Sequence, residues 1–436
     1  MSLSEKIFRN TAFRLLLMRE NQVSALDHFS FLMKSQYWEK QQLLDFQWTC
    51  LKKLLVHAYN HTEYYKLIMN ERGLTPDSLK SFDDLRKLPV LTREITHERK
   101  DQFIADKFEK SKLQKFSSGG TTGQRAELFR DKESFNIKSG ASWRNESWMG
   151  RMPSDKMALI WPAAMDIDKS ESFKTRFKYR KLMRAVVYNA GSLNEASLSY
   201  IQKDLLDFNP NFLKVFPTAL YGFLEYIVAN KLPLPKLKAV MATGEPLYEY
   251  QKIFFEETLQ CPVYDMYGSR EVGNTASECQ NRDGMHIAME TSYVEFVDKN
   301  KPVEFGTEGE ILVTDLTNYG FPLLRYAIND YGIPLDRSCS CGRGLMMMDN
   351  AVGRLMDFVY RADGSKILGH VLAISLTLEG PPVGQMQVVQ NSFTNFIIRI
   401  TDDPAPNQDT YDYITAEMKK LVAGDVTIDF EIVKQI

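Results

Sequence analysis

The stretch LKAVMATGEPLYEYQKIFFEETLQCPVYDMYGSRE, residues 237–271, reads as strand, turn, helix, strand and turn. LKAVMATGE (237–245) and PVYDMYG (262–268) are short apolar runs that end in turn residues, and 247–259 between them has helical spacing. The alternation extends upstream through MALIWPA (157–163) and FLKVFPT (212–218), with helical stretches at 195–207 and 219–230. Short buried strands alternating with amphipathic helices predict parallel strands with crossover helices. Ligands of such sheets sit beyond the carboxyl ends of the strands. Both ATGE and YGSRE fall there.

Outward from this centre the texture changes. Residues 1–66 read as a helical lead-in whose Ile7, Phe8, Phe13, Leu16 and Leu17 form an apolar stripe that packs on the body. Gly73 and Pro76 punctuate the segment 61–96, and Pro89 ends a helix at Leu88. After about 285, TSYVEFVD, EGEILVTDL and FPLLRYAIND predict a β-rich subdomain. Beyond Gly353-Arg354, QMQVVQNS and NFIIRIT read as strands, DTYDYITAEMKKLVAG as a helix and VTIDFEIV as a last strand. The expected architecture is α/β: a large N-terminal domain, 1–352, of mixed sheets with crossover helices plus the β-rich subdomain, and a small α+β domain, 353–436. At 436 residues the chain has room for both. Lys+Arg 54 against Asp+Glu 56 gives no global charge for a nucleic-acid partner. With no apolar run of spanning length, a cytoplasmic protein without membrane contact is expected.

FSSGGTTGQRAELFR, residues 116–130, holds two serines, two threonines and three glycines together. A helix loses about 1 kcal/mol at each glycine relative to alanine. The run offers instead backbone N–H groups flanked by hydroxyls, which suits a phosphate chain. No Gly-Lys-Ser/Thr follows, so it is not a Walker loop. The other reading is a Gly/Ser linker.

SSGGTTGQ (117–124), ATGEPL (242–247), YGSREVG (267–273), PLLRYAIND (322–330) and GRLMD (353–357) occur in this order. Together they resemble the acyl-adenylating superfamily of acyl-CoA synthetases, adenylation domains and luciferases. KLPVLTRE (87–94) and CSCGR (339–343) are most similar to its phenylacetate-CoA ligase branch, which includes CapK-type proteins of capsular polysaccharide biosynthesis. The resemblance covers roughly 55–436. It implies an AMP-forming ligase that joins a small carboxylic acid to AMP and then passes the acyl group to CoA or an amine. It implies ATP, Mg²⁺ and CoA as cofactors, and is compatible with a homodimer.

The resemblance also implies residue roles. Ser117, Ser118, Gly119, Gly120, Thr121, Thr122 and Gly123 would hold the β- and γ-phosphates. Glu271 matches the glutamate that ligates Mg²⁺, Asp330 the aspartate that accepts both ribose hydroxyls, and Arg354 the arginine near ribose and phosphate. Gly244 and Glu245, with Tyr267 and Gly268, would border the adenine and the acyl pocket. The sequence departs from the pattern at three places. Gly123-Gln124-Arg125 stands where relatives carry lysine or proline, so Arg125 is expected to supply the charge. Met356 replaces a hinge aspartate, with Asp357 beside it. VTIDFEIVKQI closes the sequence without the Ser-Gly-Lys-like loop that carries the family's lysine, and Lys434 is a poor substitute. A non-catalytic nucleotide-binding or scaffold protein of a surface-polysaccharide pathway is therefore the second reading.

Cys279 and His286 have six residues between them, and Cys339 and Cys341 flank Ser340. Three thiolates and an imidazole are the ligand set of a closed tetrahedral zinc site. The other readings are free buried cysteines or a catalytic metal. Cys50 and Cys261 lie outside the set and are expected to pack.

Overall fold

The computed structural model describes residues 11, 13–117, 127–161, 179–189, 195–354, 358–361, 366–368, 372, 375–376, 381, 383, 385–402, 405–422, 424–434 and 436. They divide into two compact units, Met1–Ile328 with Gly332–Ala351, and Asn329–Tyr331 with Val352–Ile436.

The first unit opens with helices α1 (Arg14–Arg19), α2 (Ser24–Ser35), α3 (Lys40–His61) and α4 (Glu63–Glu71). Of the expected apolar stripe, Phe13, Leu16 and Leu17 are buried, and Ile7 and Phe8 lie outside the described residues. Phe82–Lys87 forms a 3-10 helix that stops at Leu88, whose extended backbone (ψ 144°) is what the following Pro89 demands. A short α5 (Arg93–Glu98) follows, with Thr92 as its cap. Strands β1 (Gln114–Ser117) and β2 (Glu127–Arg130) pair antiparallel. They flank 118–126, which lie outside the described residues.

Helix α6 (Lys132–Ser147) leads into the parallel strands β3 (Met157–Trp161), β4 (Ala185–Asn189), β5 (Phe212–Val215), β6 (Ala239–Thr243) and β7 (Val263–Ser269). Helices α7 (Glu195–Phe208), α8 (Pro217–Ala229) and α9 (Glu249–Leu259) are the crossovers from β4 onward. The strands expected at 157–163, 212–218, 237–245 and 262–268 are all present. Their apolar runs are continuous because helices cover the sheet. Leu213, Val215, Val240, Ala242 and Val263 pack with Leu220, Phe223 and Phe255 of the crossovers.

At β7 the chain reverses. Strands β8 (Gly273–Glu278) and β9 (Met285–Ile287) follow as antiparallel neighbours. Then come β10 (Ser292–Asp298), β11 (Lys301–Pro302), β12 (Gly309–Asp315), β13 (Tyr326–Leu335) and β14 (Met347–Arg354). The β-rich stretch expected after 285 is the antiparallel half of one sheet. Among the described residues its twelve strands run β11-β10-β12-β13-β14-β9-β8-β7-β6-β5-β3-β4. Only the second half of FPLLRYAIND is strand. Phe321, Leu323 and Leu324 are buried in the connection before it.

The second unit holds β15 (Phe358–Tyr360) paired with β16 (Lys366–Leu368), and β17 (Met386–Ser392), β18 (Asn395–Thr401), helix α10 (Gln408–Val422) and β19 (Thr427–Val433). β18 pairs antiparallel with β17 and parallel with β19. Phe396, Ile398 and Ile400 face Ile414, Met418 and Val422 of α10 in a core of its own.

Candidate functional site

The carboxyl ends of β5, β6 and β7 carry the motifs that the sequence singles out. After β6 the backbone of Gly244 takes φ +84°, and a Cβ there would stand 2.5 Å from the Phe216 ring. Glycine serves both the left-handed turn and the close approach. Phe216 in turn meets Trp161 edge to face, with centroids 4.5 Å apart. The Glu245 carboxylate accepts the Thr218 N–H at 2.9 Å, in the first turn of α8. An anion there satisfies an orphan donor and the helix dipole together.

β7 ends in a tight reversal, with a register shift between Tyr267 and Gly268. A Cβ on Gly268 would stand 2.5 Å from the Gly273 carbonyl oxygen, so no other residue fits. The three carbonyls of the turn that follows are held by half-buried cations. Arg130 Nη2 donates to the carbonyls of Arg270 (2.9 Å) and Glu271 (3.3 Å), and Lys138 Nζ to that of Val272. Lys138 also pairs with the fully buried Asp315, at 2.9 Å. Burial lowers the Arg130 pKa and pushes Lys138 down to about 8, against the opposing pull of Asp315.

The Glu271 side chain is buried and meets Arg93, Nη2 to Oε1 at 3.3 Å. Arg93 reaches it through the register of its own segment. The Leu91 N–H donates to the Arg325 carbonyl and the Ala327 N–H to the Leu91 carbonyl, at 3.0 and 2.9 Å. Arg325, itself fully buried, donates to the Leu88 carbonyl (2.7 Å) and to both Glu295 oxygens (3.0 Å each from Nε and Nη2). Residues 88–91 are thus fixed along the start of β13, and Arg93 follows two positions on. Burial raises the Tyr326 hydroxyl beside it, with Glu271 adding to the effect.

The structure therefore brings Glu271, Tyr267 and Gly268 together at the end of β7, and places Gly244 and Glu245 at the end of the neighbouring β6. Ser117 closes β1, and Arg354 ends β14. Asp330 lies on β13, half-buried, in the piece 329–331 that groups with the second unit. Ser118, Gly119, Gly120, Thr121, Thr122, Gly123 and Arg125 lie outside the described residues, as do Met356 and Asp357. Arg93, Arg130, Lys138 and Tyr326 are additions. KLPVLTRE and FSSGGTTGQRAELFR contain the first two, and nothing local marks them as partners of a glutamate 178 and 141 positions on.

The second constellation closes as its residue types require. Cys279 follows β8, His286 lies on β9 directly across from Ser277, and Cys339 and Cys341 sit on the loop before β14. Their ligand atoms all lie within 4.8 Å of one another. Zn–S bonds of about 2.3 Å in a tetrahedron give S–S edges of about 3.8 Å. Cys279 and Cys339 sulfurs are 3.7 Å apart, and Cys341 Sγ is 3.3 Å from His286 Nε2. Burial lowers His286 to about 4, which keeps the imidazole neutral as a ligand must be. The donor set and its spacing fit zinc. Cys50 is half-buried and Cys261 buried, both apart from the cluster.

No family model matches the chain. It is similar to Protein CapK of Staphylococcus aureus, 22% identical over 402 residues that cover 91% of this chain and 87% of that protein. It is similar to phenylacetate-coenzyme A ligase of Escherichia coli strain K12, 24% identical over 320 residues, 71% of this chain and 70% of the ligase. Among solved structures, 2-hydroxyisobutyryl-CoA ligase in the postadenylation state with 2-HIB-AMP superposes with a TM-score of 0.70 at 19% identity, covering 91% and 86% of the two chains. The chain shares the fold of 2-hydroxyisobutyryl-CoA ligase. No helix among the described residues is long and apolar enough to cross a membrane.

Proposed function

We propose that this chain is an AMP-forming acyl-CoA ligase. A carboxylate oxygen of a small acid attacks the α-phosphorus of ATP, the bond to the bridging oxygen breaks, and pyrophosphate leaves with the electron pair. The thiol of CoA then attacks the acyl carbon, loses its proton, and AMP departs. The observation that carries this reading is the buried Glu271 beyond the carboxyl end of β7, with Arg93 on its carboxylate and Arg130 and Lys138 on the carbonyls of its turn, in a fold shared with an enzyme crystallised with 2-HIB-AMP. Two anions must approach each other in such a reaction, so a site rich in fixed cations lowers its barrier.

In this reading Glu271 offers carboxylate oxygens to Mg²⁺, which would neutralise phosphate charge. The loop from Ser117 through Gly123, with Thr121 and Thr122, takes the phosphates. Gly244, Glu245, Tyr267 and Gly268 border the nucleotide and the acid. Asp330 accepts the ribose hydroxyls and Arg354 lies near ribose and phosphate. Zinc on Cys279, His286, Cys339 and Cys341 is structural, since four protein ligands leave no open position. The amine acceptor is the alternative to CoA.

ATP–pyrophosphate exchange over a panel of small aliphatic and aryl acids, followed by AMP release with CoA or an amine, tests the reading. Exchange with at least one acid and release that needs CoA are expected. Nucleotide binding without exchange by any acid would replace the ligase with the non-catalytic reading. Glu271→Gln should lower exchange about 10²-fold, as when one preorganised charge at a transition state is lost.

A further inference from the structure

Three buried donors around Glu271 have no role in the site as described so far. Arg93 Nε, Arg130 Nε and the Tyr326 hydroxyl each lack a hydrogen bond of good geometry among the described residues. Buried polar atoms are nearly always partnered; the Tyr326 hydroxyl lies against the Arg93 guanidinium, and the two arginine Nε–H groups still ask for an acceptor. Two are guanidinium nitrogens, which match planar or tetrahedral oxyanions. Glu271 cannot be that acceptor for both, because its contact with Arg93 is one 3.3 Å bond from Nη2.

The two arginines differ in freedom. Arg130 is half-buried, its Nη2 is committed to the carbonyls of Arg270 and Glu271, and its guanidinium lies 4.6 Å from the Phe116 ring. Arg93 remains 23% exposed at its side chain, meets Glu271 through one 3.3 Å bond and lies against the Tyr326 hydroxyl. The second guanidinium can therefore change partner while the first stays.

We infer that Arg93 is a pyrophosphate-binding residue: in the nucleotide-free chain it neutralises Glu271, and with metal and nucleotide present it passes to the β- and γ-phosphate oxygens. This rests on the adenylating reading above. Opposite charges would stay paired at both ends: Glu271 would hold a divalent cation, whose charge would offset phosphate, and Arg93, released from Glu271, would donate to the phosphate oxygens. When the bond from the α-phosphorus to the bridging oxygen breaks, the negative charge that develops on pyrophosphate falls on Arg93 donors, with no proton transfer. Arg130 stays as the fixed charge beneath the turn, and Tyr326 supplies a neutral donor.

Arg93→Met and Arg93→Lys in the full chain test this, with inorganic pyrophosphate and Mg²⁺ as the calorimetric probe. Arg93→Met should weaken magnesium pyrophosphate at least 10-fold and lower ATP–pyrophosphate exchange 10- to 100-fold, with the KM of the acid within twofold. Arg93→Lys should recover most of the pyrophosphate affinity. The loss should persist in a Glu271→Gln background, because the grip is on phosphate. Wild-type pyrophosphate affinity in Arg93→Met, or a loss that disappears in that background, would overturn the inference and leave the ligase intact. Wild-type protein that binds pyrophosphate through Arg93 yet exchanges with no acid would keep the grip and sink the ligase reading.

Discussion

Lys138 Nζ joins two structures that the sequence keeps far apart, the Val272 carbonyl and the Asp315 carboxylate. Its folded pKa, about 8, lies below the usual lysine value, so the unfolded chain binds more protons between about pH 8 and 10.5. Stability should therefore rise with pH across that window. Lys138→Met removes the rise and leaves Asp315 buried without its partner. Denaturant titrations at pH 7 and pH 10 should show a loss of roughly 3–5 kcal/mol at pH 7, the cost of breaking a buried pair, and no gain on going to pH 10. A Lys138→Met chain as stable as wild type at pH 7 would mean that the pair carries nothing. Glu271 was legible because its motif is local. Its cations were not, because a single arginine or lysine in a polar segment looks the same whether it is solvated or folded onto a carbonyl.

Helix α6 shows the same limit one level up. KESFNIKSGASWRNES has no apolar stripe, yet Ser134, Asn136, Gly140, Arg144, Asn145 and Glu146 are buried. Partners from elsewhere satisfy them: Thr317 for Ser134, Ser24 for Asn136, Glu290 for Arg144, and both Arg151 and Lys214 for Glu146. Hydrophobic periodicity finds β5 and β6, whose residues bury by being apolar, and misses α6, whose residues bury by being matched. At Gly140 the helix meets α2, and a Cβ would stand 2.8 Å from Phe29 N and 2.9 Å from the Ala25 carbonyl oxygen. Gly140→Ala would gain about 1 kcal/mol of helix propensity. Overpacking against backbone costs roughly 1–3 kcal/mol and should win, as a lowered unfolding midpoint.

The Cys/His cluster belongs to the same scale, since it ties the β8–β9 hairpin to the loop before β14. One zinc per chain should appear in elemental analysis of fresh protein. Cys339→Ser should lower stability by several kcal/mol, because part of the metal's binding free energy is folding free energy. Fresh protein without metal would remove the zinc.

Across the molecule, the second unit builds a core from its own stretch of sequence. Ile414, fully buried, packs with Phe396, Ile398 and Ile400. Ile414→Ala should cost roughly 2–5 kcal/mol and speed hydrogen exchange in β17–β19, while β5 and β6 keep wild-type rates. Equal acceleration in both units would make them one cooperative structure. The small unit was readable strand by strand because its runs are local. The joining of the halves into one sheet was not, because it rests on β14 returning to pair Met347 with His286, a match that no local pattern marks.

Strand β14 lies between β13 and β9, so it is the seam of that sheet. On a ribosome, β3 through β9 emerge first and β10 through β13 next. Until residues 347–354 follow, each half presents an unpaired edge in the middle of the future sheet. Open edges recruit strands from other chains. The far edges carry no such delay: β11, at one of them, is Lys301-Pro302, a charge and a residue without an N–H. The interval between translating Leu335 and translating Arg354 is thus the vulnerable part of this protein's synthesis. Chains stalled in that interval should be the ones that chaperones hold or that aggregate, and those released just past residue 354 should be markedly more soluble.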